Sequence, residues 1–102
     1  MVHVIATIEV VEGKRDKFIS IFKENLPNVL AEDGCLDYGP TVDLDSGIPV
    51  QMPVRDNVVT VVEQWESMDH LNAHLAAPHM ATYREQVKDV VTGVTLQILE
   101  PA

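Results

Sequence analysis

The stretch from Val61 to Glu85, VVEQWESMDHLNAHLAAPHMATYRE, decides the fold. Its first residues are β-branched and read as a strand ending at Trp65. Ser67 then has the character of a helix N-cap, with Asp69 favourable in the first turn. A short helix follows to about Ala76. Pro78 fits the first position of a second helix, because a missing N–H costs nothing there. The same stretch holds the only tryptophan and three of the four histidines, so chemistry is also to be sought here.

Working outward, Asn57 to Trp65 completes the strand, with Val58, Val59, Val61 and Val62 as burial candidates. On the C-terminal side the second helix is expected to run to about Val91. Thr92-Gly93 is read as its stop and Val94 to Glu100 as the last strand. Upstream, Val2 to Val11 alternates as a strand with Val2, Val4, Ala6, Ile8 and Val10 on one face. His3, Ile5, Thr7, Glu9 and Val11 form a mixed second face. From Lys14 to about Glu32 the period becomes helical, with Phe18, Phe22, Leu26 and Val29 on one stripe. Pro27 predicts a kink or an early end. Asp33-Gly34 stops the helix. Cys35 to Leu44 is a weaker strand, which Gly39-Pro40 confines to an edge or a bulge. Asp45 to Asn57 reads as a loop whose apolar residues Ile48, Val50, Met52 and Val54 suggest that it folds over something.

The order is β-α-β-β-α-β with the second helix split. Right-handed crossovers put the helices on one face of an antiparallel sheet, the α+β ferredoxin-like arrangement. Residues 1–102 read as a single domain. Apolar residues on both faces of the first and third strands call for a second cover, and a homodimer packed through the sheet face is the simplest. The composition, 46% hydrophobic and 23% charged, is that of a folded chain. Seven Lys and Arg against sixteen Asp and Glu give a net charge of −9, which argues against nucleic acid and anionic membrane surfaces as partners. The apolar N-terminus lacks the cationic start of a signal peptide, and no apolar run reaches the roughly 20 residues of a membrane span. The expected address is the cytoplasm. Cys35, the only cysteine, has no internal partner and no cationic neighbour to activate it.

His74 shares a helix face with Leu71 and Leu75 and should point inward, where an imidazole can take or give a proton near neutrality. The same pattern also fits a packed, satisfied core histidine. His79, just inside the next helix, is favoured neutral there and could orient a substrate; a corner-packing histidine reads the same way. Glu63 and Trp65 share a strand face. A carboxylate among valines and a tryptophan needs a partner, or it becomes a base with a raised pKa; pairing across a dimer interface is the competing reading. Trp65 is either a flat wall for an aromatic ligand or a core anchor. His70 and His74 have the spacing of a two-histidine clamp, but His70 is expected to face solvent and no H-E-x-x-H pattern is present, so no metal is expected.

The E-x-W-x-S element at Glu63 to Ser67, followed by His74 and Pro78-His79, resembles the antibiotic biosynthesis monooxygenase (ABM) superfamily. Gly13-Lys14 after the first strand, Glu32-Asp33-Gly34-Cys35-Leu36 and Tyr38 extend the likeness over nearly the whole chain. The resemblance implies a dimeric α/β barrel with a pocket between sheet and helices in each subunit. It also implies oxygenation of a quinol-like or polyphenolic small molecule without metal, flavin or other cofactor. By position, His74 becomes the base, Trp65 a pocket wall, and Glu63 and His79 orienting groups. Ala6 and Arg84 stand where the haem-degrading branch has asparagine and histidine, which disfavours haem. Two alternatives remain: a redox-neutral isomerase or lyase acting on a small carbonyl compound, and a dimeric binding module without chemistry.

Overall fold

The computed structural model describes residues 1–102. The elements are β1 (Val2–Val10), α1 (Arg15–Leu30), β2 (Cys35–Thr41), β3 (Val58–Trp65), α2 (Met68–Leu75), α3 (Pro78–Val87) and β4 (Val91–Leu99). The four strands form one sheet in the order β2-β3-β1-β4, and every neighbouring pair is antiparallel. This is the ferredoxin-like fold expected from the element order.

Register assigns the faces. Val4 lies opposite Glu63 on one side and Ile98 on the other, Ala6 opposite Val61 and Leu96, and Glu63 opposite Tyr38. Directly paired residues share a face, so Glu63, Trp65 and Tyr38 join the even-numbered residues of β1 beneath the helices. Val2, Val4, Ala6, Ile8 and Val10 are all buried. The helical stripe delivers Phe18, Phe22 and Val29 to the same core, where the Phe22 ring stacks on Tyr38 at a centroid distance of 5.4 Å. The helices pack mainly over β2 and β3. Val94, Leu96 and Ile98 of β4 point to the same side yet remain 55%, 48% and 44% exposed, so one flank of the helical face is uncovered.

Two expectations change and one narrows. At Pro27, where a kink or an early end was expected, α1 does not end but continues to Leu30. The lost hydrogen bond falls on the Lys23 carbonyl, and both residues lie on the exposed side, where water can take the place of the missing donor. Gly93 is no helix stop. α3 ends at Val87, a tight turn brings the Val90 N–H to the Val87 carbonyl at 2.9 Å, and β4 begins at Val91. Gly93 sits inside β4 opposite Glu9, and a Cβ there would come within 2.7 Å of the Glu9 carboxylate. That carboxylate is the far end of an exposed, flexible side chain and can move aside, so the glycine is accommodated in the strand and not demanded by it. The second strand ends at Thr41, short of Leu44, and Pro40 lies on the sheet edge, where it removes no ladder donor that the sheet needs.

Gly34, with φ of +78°, turns the chain from α1 into β2 in a conformation that favours glycine. Its carbonyl accepts from the Glu66 N–H at 2.9 Å, and a Cβ added to it would run into the His70 ring. His70 is therefore not free in solvent: the Ser67 hydroxyl donates to its Nδ1 at 2.7 Å, while Asp33 faces its Nε2 at 3.4 Å. The end of α1 is clamped to the start of α2.

Candidate active site

A cavity of about 450 Å³ lies between α3 and the sheet, within the range of small-molecule sites. Twelve of its sixteen lining residues are hydrophobic, Ala6, Val61 and Leu96 forming the floor and Met80 and Val87 the roof. Its polar lining comes chiefly from Glu63, His74, Tyr38 and Tyr83, with Arg84 and Lys88 among the residues contributed by α3. His74 and Glu63 thus open onto one shared space, carried there by α2 and β3.

His74 is almost wholly buried, 2% exposed. Its ring lies 4.6 Å from Trp65 and 5.3 Å from Tyr38 between centroids. Nδ1 is 2.7 Å from Glu32 Oε2, so the carboxylate takes the Nδ1 proton as its hydrogen bond and leaves Nε2 with its lone pair free. Nε2 has no hydrogen-bond partner in the chain. Burial lowers the His74 pKa from its usual 6.5, outweighing the upward pull of Glu32. The ring is thereby kept neutral at physiological pH, in one tautomer, with an accepting nitrogen available.

Glu63 is 6% exposed, and desolvation pushes its carboxyl up to about 7 against the opposing hydrogen bond from Trp65. The indole Nε1–H donates to Glu63 Oε1 at 3.0 Å. Near neutrality this carboxyl is therefore divided between acid and anion and can give as well as take a proton. Tyr38 and Tyr83 have pKa values raised by burial and stay protonated donors.

Of the four residues singled out by sequence, Glu63 and His74 line the cavity; Trp65 and His79 do not. Trp65 has no exposed surface and lies behind His74, where it supports the imidazole and holds Glu63. His79 lines a separate polar cleft between α1 and α3, with its Nε2 3.7 Å from Glu32. Glu32 was missed as a site residue. It follows the last helical residues of α1 and meets His74 only through a contact 42 residues apart in sequence. No three His, Cys, Asp or Glu side chains converge as a metal cage.

Comparison with known proteins bears on this geometry. The family described as antibiotic biosynthesis monooxygenase matches residues 1–86. The Escherichia coli (strain K12) protein named "Probable quinol monooxygenase YgiN" is 42% identical over 103 residues, covering 99% of this chain and 98% of that protein. Among solved structures, Rv0793 from Mycobacterium tuberculosis superposes with a TM-score of 0.79 at 25% identity, covering 99% and 94% of the two chains. A conserved protein from Methanosarcina mazei Go1 gives 0.83 at 20% identity, covering 99% and 92%, which bears on the fold alone. With the ABM match spanning most of the chain and close identity running end to end, this chain belongs to the antibiotic biosynthesis monooxygenase family.

Proposed function

We propose that the chain, as one domain over residues 1–102, is a monooxygenase acting on a quinol-like or polyphenolic small molecule, with the substrate rather than a resident cofactor supplying electrons to dioxygen. One observation carries the reading. A single apolar cavity is lined by a neutral imidazole with a free Nε2 and by a carboxyl poised near 7. The E. coli relative named as a quinol monooxygenase supports the substrate class.

In this reaction His74 Nε2 takes a hydroxyl proton from the bound quinol, and the quinolate becomes a strong electron donor. One electron passes to dioxygen, and the radical pair combines at a ring carbon as a peroxide. The O–O bond then breaks. The ring carbon gives its hydrogen as a proton to the Glu63 carboxylate and keeps one oxygen as a carbonyl. The departing oxygen takes one proton from Glu63, before that carboxyl is recharged by the ring carbon, and one from His74 Nε2, and leaves as water. One hydroquinone and one O2 give one hydroxylated quinone and one water. The apolar walls hold the flat ring and keep bulk water from the intermediate. Trp65 supports the His74 ring from behind, and His79, outside the cavity, orients the Glu32 carboxylate that holds it.

The working unit we propose is a cytoplasmic homodimer closed through the sheet face. The accessible surface is 6471 Å², against about 5,700 Å² for a self-contained chain of this size. The surplus of roughly 700 Å² approaches the ~800 Å² per partner of a standard interface. On the face away from the helices, Val62 and Leu99 are 38% and 42% exposed, and the Thr60 hydroxyl is sealed from solvent without a partner. No helix is long and apolar enough to cross a membrane.

The test is oxygen uptake with a hydroquinone panel, together with 18O incorporation from labelled dioxygen, comparing wild type with His74→Ala and Trp65→Phe. Absence of protein-dependent uptake across the panel overturns the reading. The divided ionisation of Glu63 beside His74 also suits an isomerase or lyase working next to a carbonyl. That alternative predicts proton exchange into a carbonyl substrate under strict exclusion of oxygen, which the monooxygenase does not perform.

A further inference from the structure

We propose that Glu32 and His79 form a proton route from His74 to the polar cleft between α1 and α3, separate from the substrate cavity; the proposal rests on the monooxygenase reading above. Glu32 Oε2 is the shared atom, 2.7 Å from His74 Nδ1 and 3.7 Å from His79 Nε2. Both ring nitrogens of His79 are sealed from solvent and lack a hydrogen-bond partner. Such orphaned polar atoms are costly and call for an explanation. A small rotation that closes 3.7 Å to hydrogen-bonding distance supplies one. The far side of His79 borders a cleft lined by Glu24, Asn25, Asn28, Thr82 and Gln86. Tyr83 lines both this cleft and the cavity, so the two openings stand back to back.

The chemistry asks for such a route. A phenolic hydroxyl titrates near 10, while burial holds the His74 imidazolium below 6.5, so the first proton transfer runs uphill. The cavity is mostly apolar and offers few groups that could carry the proton away. When Nε2 accepts the hydroxyl proton, the Nδ1 proton moves onto Glu32, then to His79 Nε2, and leaves for water in the cleft as the His79 side chain swings. The ring resets when Nε2 gives its proton to the departing oxygen and Nδ1 regains one from the cleft through His79 and Glu32. Over one turnover the route is then neutral: one proton leaves by it and one returns. The other charged groups acting on His74 are Arg84 on α3 and His79 itself, while Glu63 lies across the cavity lining.

Two measurements test the route. In the first, His79→Gln keeps a polar side chain but cannot titrate; kcat should fall by up to roughly tenfold, less than the loss of a positioned base, with KM unchanged. Added imidazole buffer should restore kcat in this variant and leave wild type unaffected. A loss indifferent to buffer, or no loss at low buffer, overturns the route. In the second, nitrogen-15 imidazole spectra of the folded protein should show the His74 signals responding as His79 titrates, and that response should vanish in Glu32→Gln. Independent titration of the two rings in wild type overturns the route without reference to turnover. If no hydroquinone is consumed but the rings are coupled, the monooxygenase reading falls and the proton route stands.

Discussion

The corner where β3 passes into α2 and the loop over residues 42–57 flank the same strand, and both are rich in apolar residues. At the corner the inward-facing groups are packed or paired: Trp65 is sealed, its indole N–H is bonded to Glu63, Leu71 is buried, and His74 is held by Glu32. In the loop, Leu44, Ile48, Val50 and Met52 are 75%, 59%, 91% and 76% exposed. Yet the loop is not without internal bonds. Arg55 grips both carboxylate oxygens of Asp43 at 2.8 and 2.9 Å, Gln51 Nε2 donates to the Leu44 carbonyl at 2.6 Å, and Ser46 bonds Gln51. One region is held by burial and the other by polar bonds, with its apolar side chains turned outward. Similar composition therefore carries opposite meaning. Apolar residues are core only where a neighbouring element can reach them, and in the loop they await a surface outside the chain's own core.

Substitutions can break or sharpen this contrast. The largest effect expected is on catalysis: His74→Ala should lower kcat by 10²- to 10⁴-fold, read as oxygen uptake at saturating quinol with the fold checked by circular dichroism. Next is Trp65→Ala, which should cost about 3–5 kcal/mol in chemical denaturation because it empties the wall behind His74. A smaller loss would mean that the corner can collapse and is less tightly packed than described. Glu63→Gln should show a pH-dependent gain. Burial raises the folded carboxyl to about 7, above its ordinary value of 4.5. Wild-type stability from this group is therefore intact below about 4.5 and declines as pH rises to about 7. The variant should match wild type near pH 4 and exceed it at pH 8 by up to about 3 kcal/mol, measured by urea unfolding at both values.

In the loop, Arg55→Ala should lower the thermal unfolding midpoint only slightly, because solvent screens the pair. The Arg55 guanidinium holds Asp43 down to about 2, so the pair's contribution is present above the usual carboxylate range and fades as pH falls through it. Smallest of all, Val50→Ser should leave monomer stability within about 0.5 kcal/mol. If it instead shifts the assembly state in sedimentation equilibrium, the outward residues of the loop meet a second copy.

The element order and the inward face of β1 were legible because alternation and helical period are local signals. Ser67 and Pro78 marked the helix starts for equally local reasons. Gly93 misled because a glycine inside a strand looks in sequence like one that ends a helix. Pro27 left a kink and an early end both open, because the cost of a proline depends on whether the orphaned carbonyl can reach water. At the site, Glu63 and His74 stood out as polar groups on apolar faces. Trp65 was expected to line the cavity because strand alternation says which way a side chain points and not what comes to rest in front of it. Glu32 was hidden for the complementary reason. It reads as the polar end of a helix, and only the folded chain brings α2 against it.

Gly34 shows how narrow the tolerance of this arrangement is. The bond from Glu32 to His74 is assembled from two distant segments, and the nearest fixed point between them is the seat of the His70 ring against a residue that has no side chain. Adding a single methyl group there leaves every side chain of the proposed site in the sequence, but it wedges apart the two segments that align them. The spacing of the proposed proton path is thus written partly in an atom that the chain does not possess.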